Sequence, residues 1–193
     1  PPFQYHYLKR PYTLIPLTAT DIPTPTYLDA QGMPLPASAP DSAIAFSLYE
    51  IKIMPSIFYQ PHPALAKASE GAYRYHSLTD EELKSIDALS DFKETGTREL
   101  TADDYLYGIK RLAHPNIHSP IYGFMGEYIV GLKTLGARLQ EEGGRLQEGS
   151  FLDLRNIPLS GVEVVDKYTY RIKIHGKYPP FLYWLAMPFF API

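Results

Sequence analysis

Cysteine is missing altogether from this chain of 193 residues. Its absence excludes disulfides, thiolate metal sites and thiol nucleophiles together, and it is compatible with a reducing or an oxidising compartment. Long hydrophobic runs are missing too. The nearest approach, residues 181–193, falls short of the roughly 18 apolar residues that a membrane-spanning helix needs, and Pro188 and Pro192 interrupt it. Charge of one sign is not in excess, since 18 Lys and Arg face 21 Asp and Glu for a net charge of −3. No global basic field draws such a chain to nucleic acid or to anionic lipid, which argues against both as partners. G-x-S-x-G, H-E-x-x-H and G-x-G-x-x-G are also absent. Without a nucleophile elbow, a zinc-binding helix or a dinucleotide loop, neither an enzyme nor a cofactor is expected. No signal peptide is visible, as for any mature chain from which one has been removed.

Proline and tyrosine are plentiful, at 19 and 16 residues. They favour irregular connections and aromatic surfaces over a helical bundle. Residues 1–43 are punctuated by Pro23, Pro25, Pro34, Pro36 and Pro40, which predicts extended strand and loop. From 44 to 53 the apolar alternation changes phase, with Ile44, Phe46 and Leu48 on one side and then Tyr49, Ile51 and Ile53 on the other. A bulge or burial on both faces would account for that. Thr79 is placed to cap a short helix over 80–89.

Residues 98–112, RELTADDYLYGIKRL, form the most consistent local segment. Thr101 stands at the N-cap, and Asp104, three residues on, is positioned to reach back as in a capping box. Tyr105, Ile109 and Leu112 fall on one face, while Asp103 and Asp104 complement the positive end of the helix dipole and Lys110 and Arg111 the negative end. His114-Pro115 ends this helix. Ser119-Pro120 then predicts a cap and first turn for a second helix running to Glu142 and stopping at Gly143-Gly144, with Ile129, Leu132, Leu135 and Leu139 as its apolar stripe. Further on, Tyr168, Tyr170, Ile172 and Ile174 alternate with Thr169, Arg171 and Lys173. That is a strand with one wet face, joined to 162–165 in a hairpin. Strands and helices do not alternate as βαβ units, so the expected class is α+β, with a mixed or antiparallel sheet and flanking helices. The length suffices for one domain with a sizeable core, or one plus part of another.

Gly96, Leu100, Thr101, Ala102, Asp104, Tyr107, Arg111 and Leu112 match a G-x-x-L-T-A-x-D-x-x-Y-x-x-x-R-L pattern. Downstream, VEVVDKYTYRIKI at 162–174 and YPPFLYWLAMPFFAP at 178–192 match a second block in the same order, and AFSLYEIKIMPSIFY at 45–59 matches a third more weakly, with Met54 for a basic residue and Pro55-Ser56 for Pro-Gly. With these blocks the chain resembles the family 5 extracellular solute-binding proteins, the peptide-, dipeptide- and nickel-binding components of bacterial ABC importers. The resemblance implies part of a type II periplasmic-binding-protein fold, an extracytoplasmic, periplasmic or membrane-anchored location, a peptide or other small solute as ligand, and ABC permease subunits as partners through the full-length protein. Residues 1–193 would then be one inserted or N-terminal domain of a larger two-lobe protein, with 61–95 an insertion that the family usually lacks. On the same expectation the apolar run of Phe181, Leu182, Trp184, Leu185, Phe189 and Phe190 awaits cover by further chain.

Three aromatic residues after Ser119-Pro120, namely Tyr122, Phe124 and Tyr128, are the candidate ligand contacts, because the resembling peptide binders carry aromatics there. Rings give large contact area at small entropic cost. Ordinary core packing is the competing account, and Tyr178, Phe181, Tyr183 and Trp184 are assigned to structure at an interdomain seam. His114 and His118 have the i, i+4 spacing of helical metal ligands, but Pro115 and Pro120 make them loop residues. Asp103-Asp104 has capping as a sufficient explanation, since adjacent helical side chains point about 100° apart. The alternative function is a free-standing carbohydrate- or protein-binding module that uses the aromatic surface.

Overall fold

A computed structural model describes residues 1–144 and 152–192. The chain divides into two compact units, Pro1–Met54 with Thr101–Ile193, and Pro55–Leu100. In chain order the elements are β1 (Phe3–Tyr5), β2 (Leu14–Pro16), β3 (Thr26–Leu28), β4 (Phe46–Lys52), α1 (Asp80–Leu83), α2 (Ala102–Arg111), α3 (Tyr122–Tyr128), α4 (Leu132–Gly143), β5 (Val162–Asp166), β6 (Thr169–His175) and α5 (Phe181–Trp184). The class is α+β with antiparallel pairing throughout: β1 pairs with β2, and β3-β4-β6-β5 form a four-stranded sheet.

Cross-strand partners share a face of a sheet. Tyr49 stands opposite Ile172 and Ile51 opposite Tyr170, while on the far side of β6 Val162 and Val164 face the same two residues. These side chains make the inner face, where Tyr49, Ile51, Tyr170, Ile172 and Ile174 are buried. Helix α2 covers it with Tyr105 and Ile109, and the Tyr105 and Tyr170 rings stack 5.0 Å apart at 10°. The Ala102 N–H donates to the Lys167 carbonyl in the β5–β6 turn at 2.9 Å, fixing the start of the helix against the hairpin. Phe181 of α5 packs on Tyr49 at 5.3 Å. The outer face is mixed: Arg171 lies on Glu50 at 2.7 Å, while Leu28, Phe46 and Leu48 form an apolar end, Leu28 buried and the other two half-buried.

The phase change in β4 is not a bulge. Register with β6 is unbroken from Phe46 to Lys52, and Ser47 occupies an inward position that an apolar residue would normally take. Its hydroxyl donates to the Gly176 carbonyl at 2.6 Å, which satisfies a buried polar group, and with Phe46 and Leu48 half-buried on the opposite face the phase change reflects burial on both faces. The irregularity lies on β5, between Val164 and Asp166.

Asp104 performs the expected capping, accepting from the Thr101 backbone N–H at 2.8 Å and from its hydroxyl at 3.2 Å. The single helix expected over 120–142 is instead two. Ile129 leaves α3 in an extended conformation, Val130 N–H donates to the Lys173 carbonyl at 3.1 Å, and Gly131 at φ +79° starts α4. Gly131 is required there, because a Cβ would overlap the Ser160 hydroxyl and the backbone is left-handed. Ile129, Leu132, Leu135 and Leu139 are nonetheless all buried, so the apolar stripe survives the break. Phe181, Leu185 and Phe190 are buried within this chain, and of the apolar run expected to await cover only Phe189 is substantially exposed.

The unit Pro55–Leu100 contains residues 61–95. Two bridges, Phe58 with Glu99 and His62 with Gly96, tie its ends together. The helix expected over 80–89 is limited to α1, capped by Thr79, whose N–H donates to Glu82 at 2.8 Å. Ser56, where the resembling family favours glycine, has φ +63°, the left-handed region that glycine occupies without penalty.

Candidate functional site

Residues four apart on a helix lie on one side of it. Phe124 and Tyr128 of α3 accordingly meet at 5.1 Å. Two rings from the C-terminal stretch join them: Tyr178 stacks on Tyr128 at 4.1 Å and 21°, and Trp184 of α5 lies 5.1 Å from Phe124. Phe124 also meets Tyr178 edge-on at 6.2 Å. The Trp184 indole N–H donates to the Tyr178 hydroxyl at 3.2 Å, which fixes both rings. Phe181, buried in the core one turn before Trp184, anchors α5 beneath the group. Phe124 therefore touches the other three rings and still leaves 41 % of its surface exposed, so the cluster is a platform open to solvent. Such a surface offers apolar contact and two phenolic groups at its edge.

Tyr122 takes no part in it. Phe124 lies about 200° further around the helix from Tyr122, on the opposite side. Tyr122 instead packs against α4 where Gly136 has no side chain, since a Cβ at that position would overlap its hydroxyl. The structure thus joins Phe124 and Tyr128 of the three sequence candidates and places Tyr122 elsewhere. Tyr178 and Trp184, which the sequence assigned to a seam, complete the cluster.

His114 and His118 lie in the connection after α2. His114 Nδ1 accepts the Asn116 N–H at 3.2 Å, and His118 adopts φ +50°. Burial, and secondarily Arg111, hold His114 below its ordinary pKa. Among the described residues no group of three or more His, Cys, Asp or Glu side chains is placed to hold a metal ion. Asp103 and Asp104 serve as helix-end charges, Asp104 buried in the cap. Sequence reasoning gives no sign of the burial of Lys110. Its ammonium donates to the carbonyls of Leu154 and Arg155 at 3.0 and 3.2 Å, and burial lowers its pKa despite Asp103 and Asp153 nearby. Only the distant backbone of 154–155 explains why a lysine is tolerated on that face of the helix.

No family model and no curated protein matches the sequence. Solved structures do. The chain is similar to Listeria monocytogenes OppA bound to peptide with a TM-score of 0.48 and 16% identity, over 99% of this chain and 24% of that one. It is similar to the pheromone receptor PrgZ, whose peptide binding is described, with a TM-score of 0.49 and 15% identity, over 100% and 24%. An oligopeptide ABC transporter substrate-binding domain from Bacillus anthracis follows, with a TM-score of 0.38 and 18% identity over 89% and 24%. The chain spans about a quarter of the length of the solved structures it matches.

Proposed function

We propose that this chain is part of the substrate-binding component of an ABC importer for oligopeptides or dipeptides, outside the cytoplasm, and that the whole protein delivers its ligand to a membrane permease. One observation carries this: the two sequence blocks that resemble the family's signatures, far apart in the chain, are physical partners. The first supplies α2 and the second the β5–β6 hairpin and α5, and they meet through the stacked Tyr105 and Tyr170 and through the Ala102–Lys167 hydrogen bond. Residues 1–193 are one N-terminal or inserted domain of that protein, and 61–95 is an addition to it. Phe124 and Tyr128, with Tyr178 and Trp184, form a contact surface for ligand side chains, whose variety a sequence-tolerant aromatic platform accommodates.

The test is Phe124→Ala in the protein translated from the complete reading frame. Circular dichroism checks that the variant keeps its fold, since Phe124 also packs on three rings, and a loss of affinity for mixed tri- and tetrapeptides of about tenfold is expected. Unaltered peptide affinity would remove the platform from the binding surface. The stacked, solvent-open rings also favour one other reading, a sugar-binding module. Affinity for oligosaccharides with none for peptides would establish that instead.

A further inference from the structure

The N-terminal stretch carries Lys9 and Arg10 and no carboxylate before Asp21. The β1–β2 connection brings this local positive charge to a pocket of about 310 Å³, at the lower end of the range for small-molecule sites, lined by Tyr5, His6, Tyr7, Arg10, Tyr12 and Met187. The Tyr5 and Tyr12 rings meet edge-on at 6.1 Å and 80°, which makes an aromatic corner, and Tyr183 of α5 backs Tyr5 at 5.8 Å. Met187 adds a thioether, which adapts to a flat apolar body. Arg10 is held in place. Its guanidinium lies over the Tyr12 ring at 4.5 Å, and Nη1 donates to the carbonyls of Tyr7 and Lys9 at 3.3 and 2.9 Å. Among the described residues its Nε and Nη2 meet no acceptor and no carboxylate pairs with it. His6 Nδ1 accepts the Leu8 and Lys9 N–H groups, both at 3.3 Å, so the neutral ring carries its proton on Nε2 as a donor. Burial, and then the neighbouring phenols of Tyr183 and Tyr12, hold Tyr5 above its ordinary pKa, so its hydroxyl keeps its proton as well.

We infer that this pocket binds an aromatic monocarboxylate, whose two oxygens take the free Nε and Nη2 side of Arg10 and whose ring enters the Tyr5 and Tyr12 corner beside Met187. Two parallel N–H groups on a planar guanidinium match the geometry of a carboxylate. The cation is exposed, has no carboxylate partner and is already oriented by its own backbone contacts, so little ordering remains to be imposed when a ligand arrives. One positive charge balances one negative charge, whereas a phosphate dianion would be only half compensated. The pocket is distinct from the aromatic platform. Tyr183 and Trp184 are neighbours on α5 and point about 100° apart, Tyr183 to Tyr5 and Trp184 to Phe124. The inference does not depend on the importer proposal.

The probe is hydrocinnamate, with hydrocinnamamide as its neutral counterpart, titrated into the chain while isotope-labelled methionine methyls are followed by NMR. The ring current of the probe should shift the Met187 methyl saturably, while the exposed Met33 and Met54, which do not line the pocket, and the buried Met125 stay in place. For a ligand of about eleven non-hydrogen atoms a dissociation constant in the millimolar range is expected. The amide should bind about tenfold more weakly, and Arg10→Gln, at an exposed position, should lose about the same factor for the acid and nothing for the amide. Equimolar inorganic phosphate should leave the acid bound. Absence of a saturable Met187 shift at about 50 mM hydrocinnamate, several times the expected constant, overturns the inference. So do equal shifts at Met33 and Met54, equal affinity for the amide, displacement by equimolar phosphate, or full affinity in Arg10→Gln. The comparison of acid with amide uses the unaltered chain, so it decides even where circular dichroism shows that Arg10→Gln does not fold.

Discussion

Replacing Tyr170 with alanine is expected to lower the unfolding free energy of the larger unit by about 3–5 kcal/mol, the range for deleting a large aromatic from a core. Tyr170 is 1 % exposed, lies in the middle strand pair of the sheet and carries Tyr105 stacked across its face. The loss is of burial and of ring contact together. Urea titration gives its size, and Tyr105→Ala with the double variant separates the two components. A coupling of about 0.5–1.5 kcal/mol is the expected contribution of a stacked aromatic pair beyond area. Strict additivity would mean that the two blocks are merely neighbours and that the stack does not bind α2 to the hairpin.

Alkaline pH should unfold the chain steeply. Burial, and then the neighbouring Tyr27, push Tyr49 up to about 12. Burial, and then Tyr105, hold Tyr170 well above its ordinary value. Unfolded tyrosines ionise near pH 10. Above that pH the unfolded chain gives up phenolic protons that the folded chain keeps, so stability that is fully present below about pH 10 is lost as pH climbs through the folded values. Each group contributes about 1.4 kcal/mol per pH unit, and the two together about 3 kcal/mol. Lys110 acts in the opposite sense, because burial lowers its folded pKa, but its contribution stops growing at its ordinary value of 10.5. The steep loss therefore belongs to the region above that. Urea midpoints that stay level between about pH 10.5 and 11.5 would contradict it. Tyr49→Phe and Tyr170→Phe should each flatten the slope.

The features legible in the sequence are those whose causes are local. Helix α2 is legible because Thr101, Asp104 and the Tyr105–Ile109–Leu112 face all lie within one segment. Strand β6 is legible because Tyr170, Ile172 and Ile174 alternate without interruption. The features it hides have partners far along the chain. Ser47 breaks the apolar pattern of β4 because its hydrogen bond goes to Gly176, and the break between α3 and α4 is held by a carbonyl of β6. Lys110 reads as a charge at a helix end until the carbonyls of Leu154 and Arg155 are brought over it. The aromatic platform was half legible. Phe124 and Tyr128 are singled out by the resemblance and share a face of α3, whereas Tyr178 and Trp184 reach them only through the fold. Tyr122 has the same residue type and neighbourhood, but the turn of the helix sends it to the other side.

If the chain is one portion of a two-lobed peptide carrier, the aromatic platform, with Phe124 41 % exposed, is a surface on which a peptide can rest and does not by itself surround one. Calorimetric titration of mixed tri- and tetrapeptides into the 193-residue chain and into the protein translated from its complete reading frame tests this most directly. The expected result is no measurable heat of binding for the former and micromolar or tighter affinity for the latter. Micromolar binding by the 193-residue chain alone, or none by the complete protein, would contradict it.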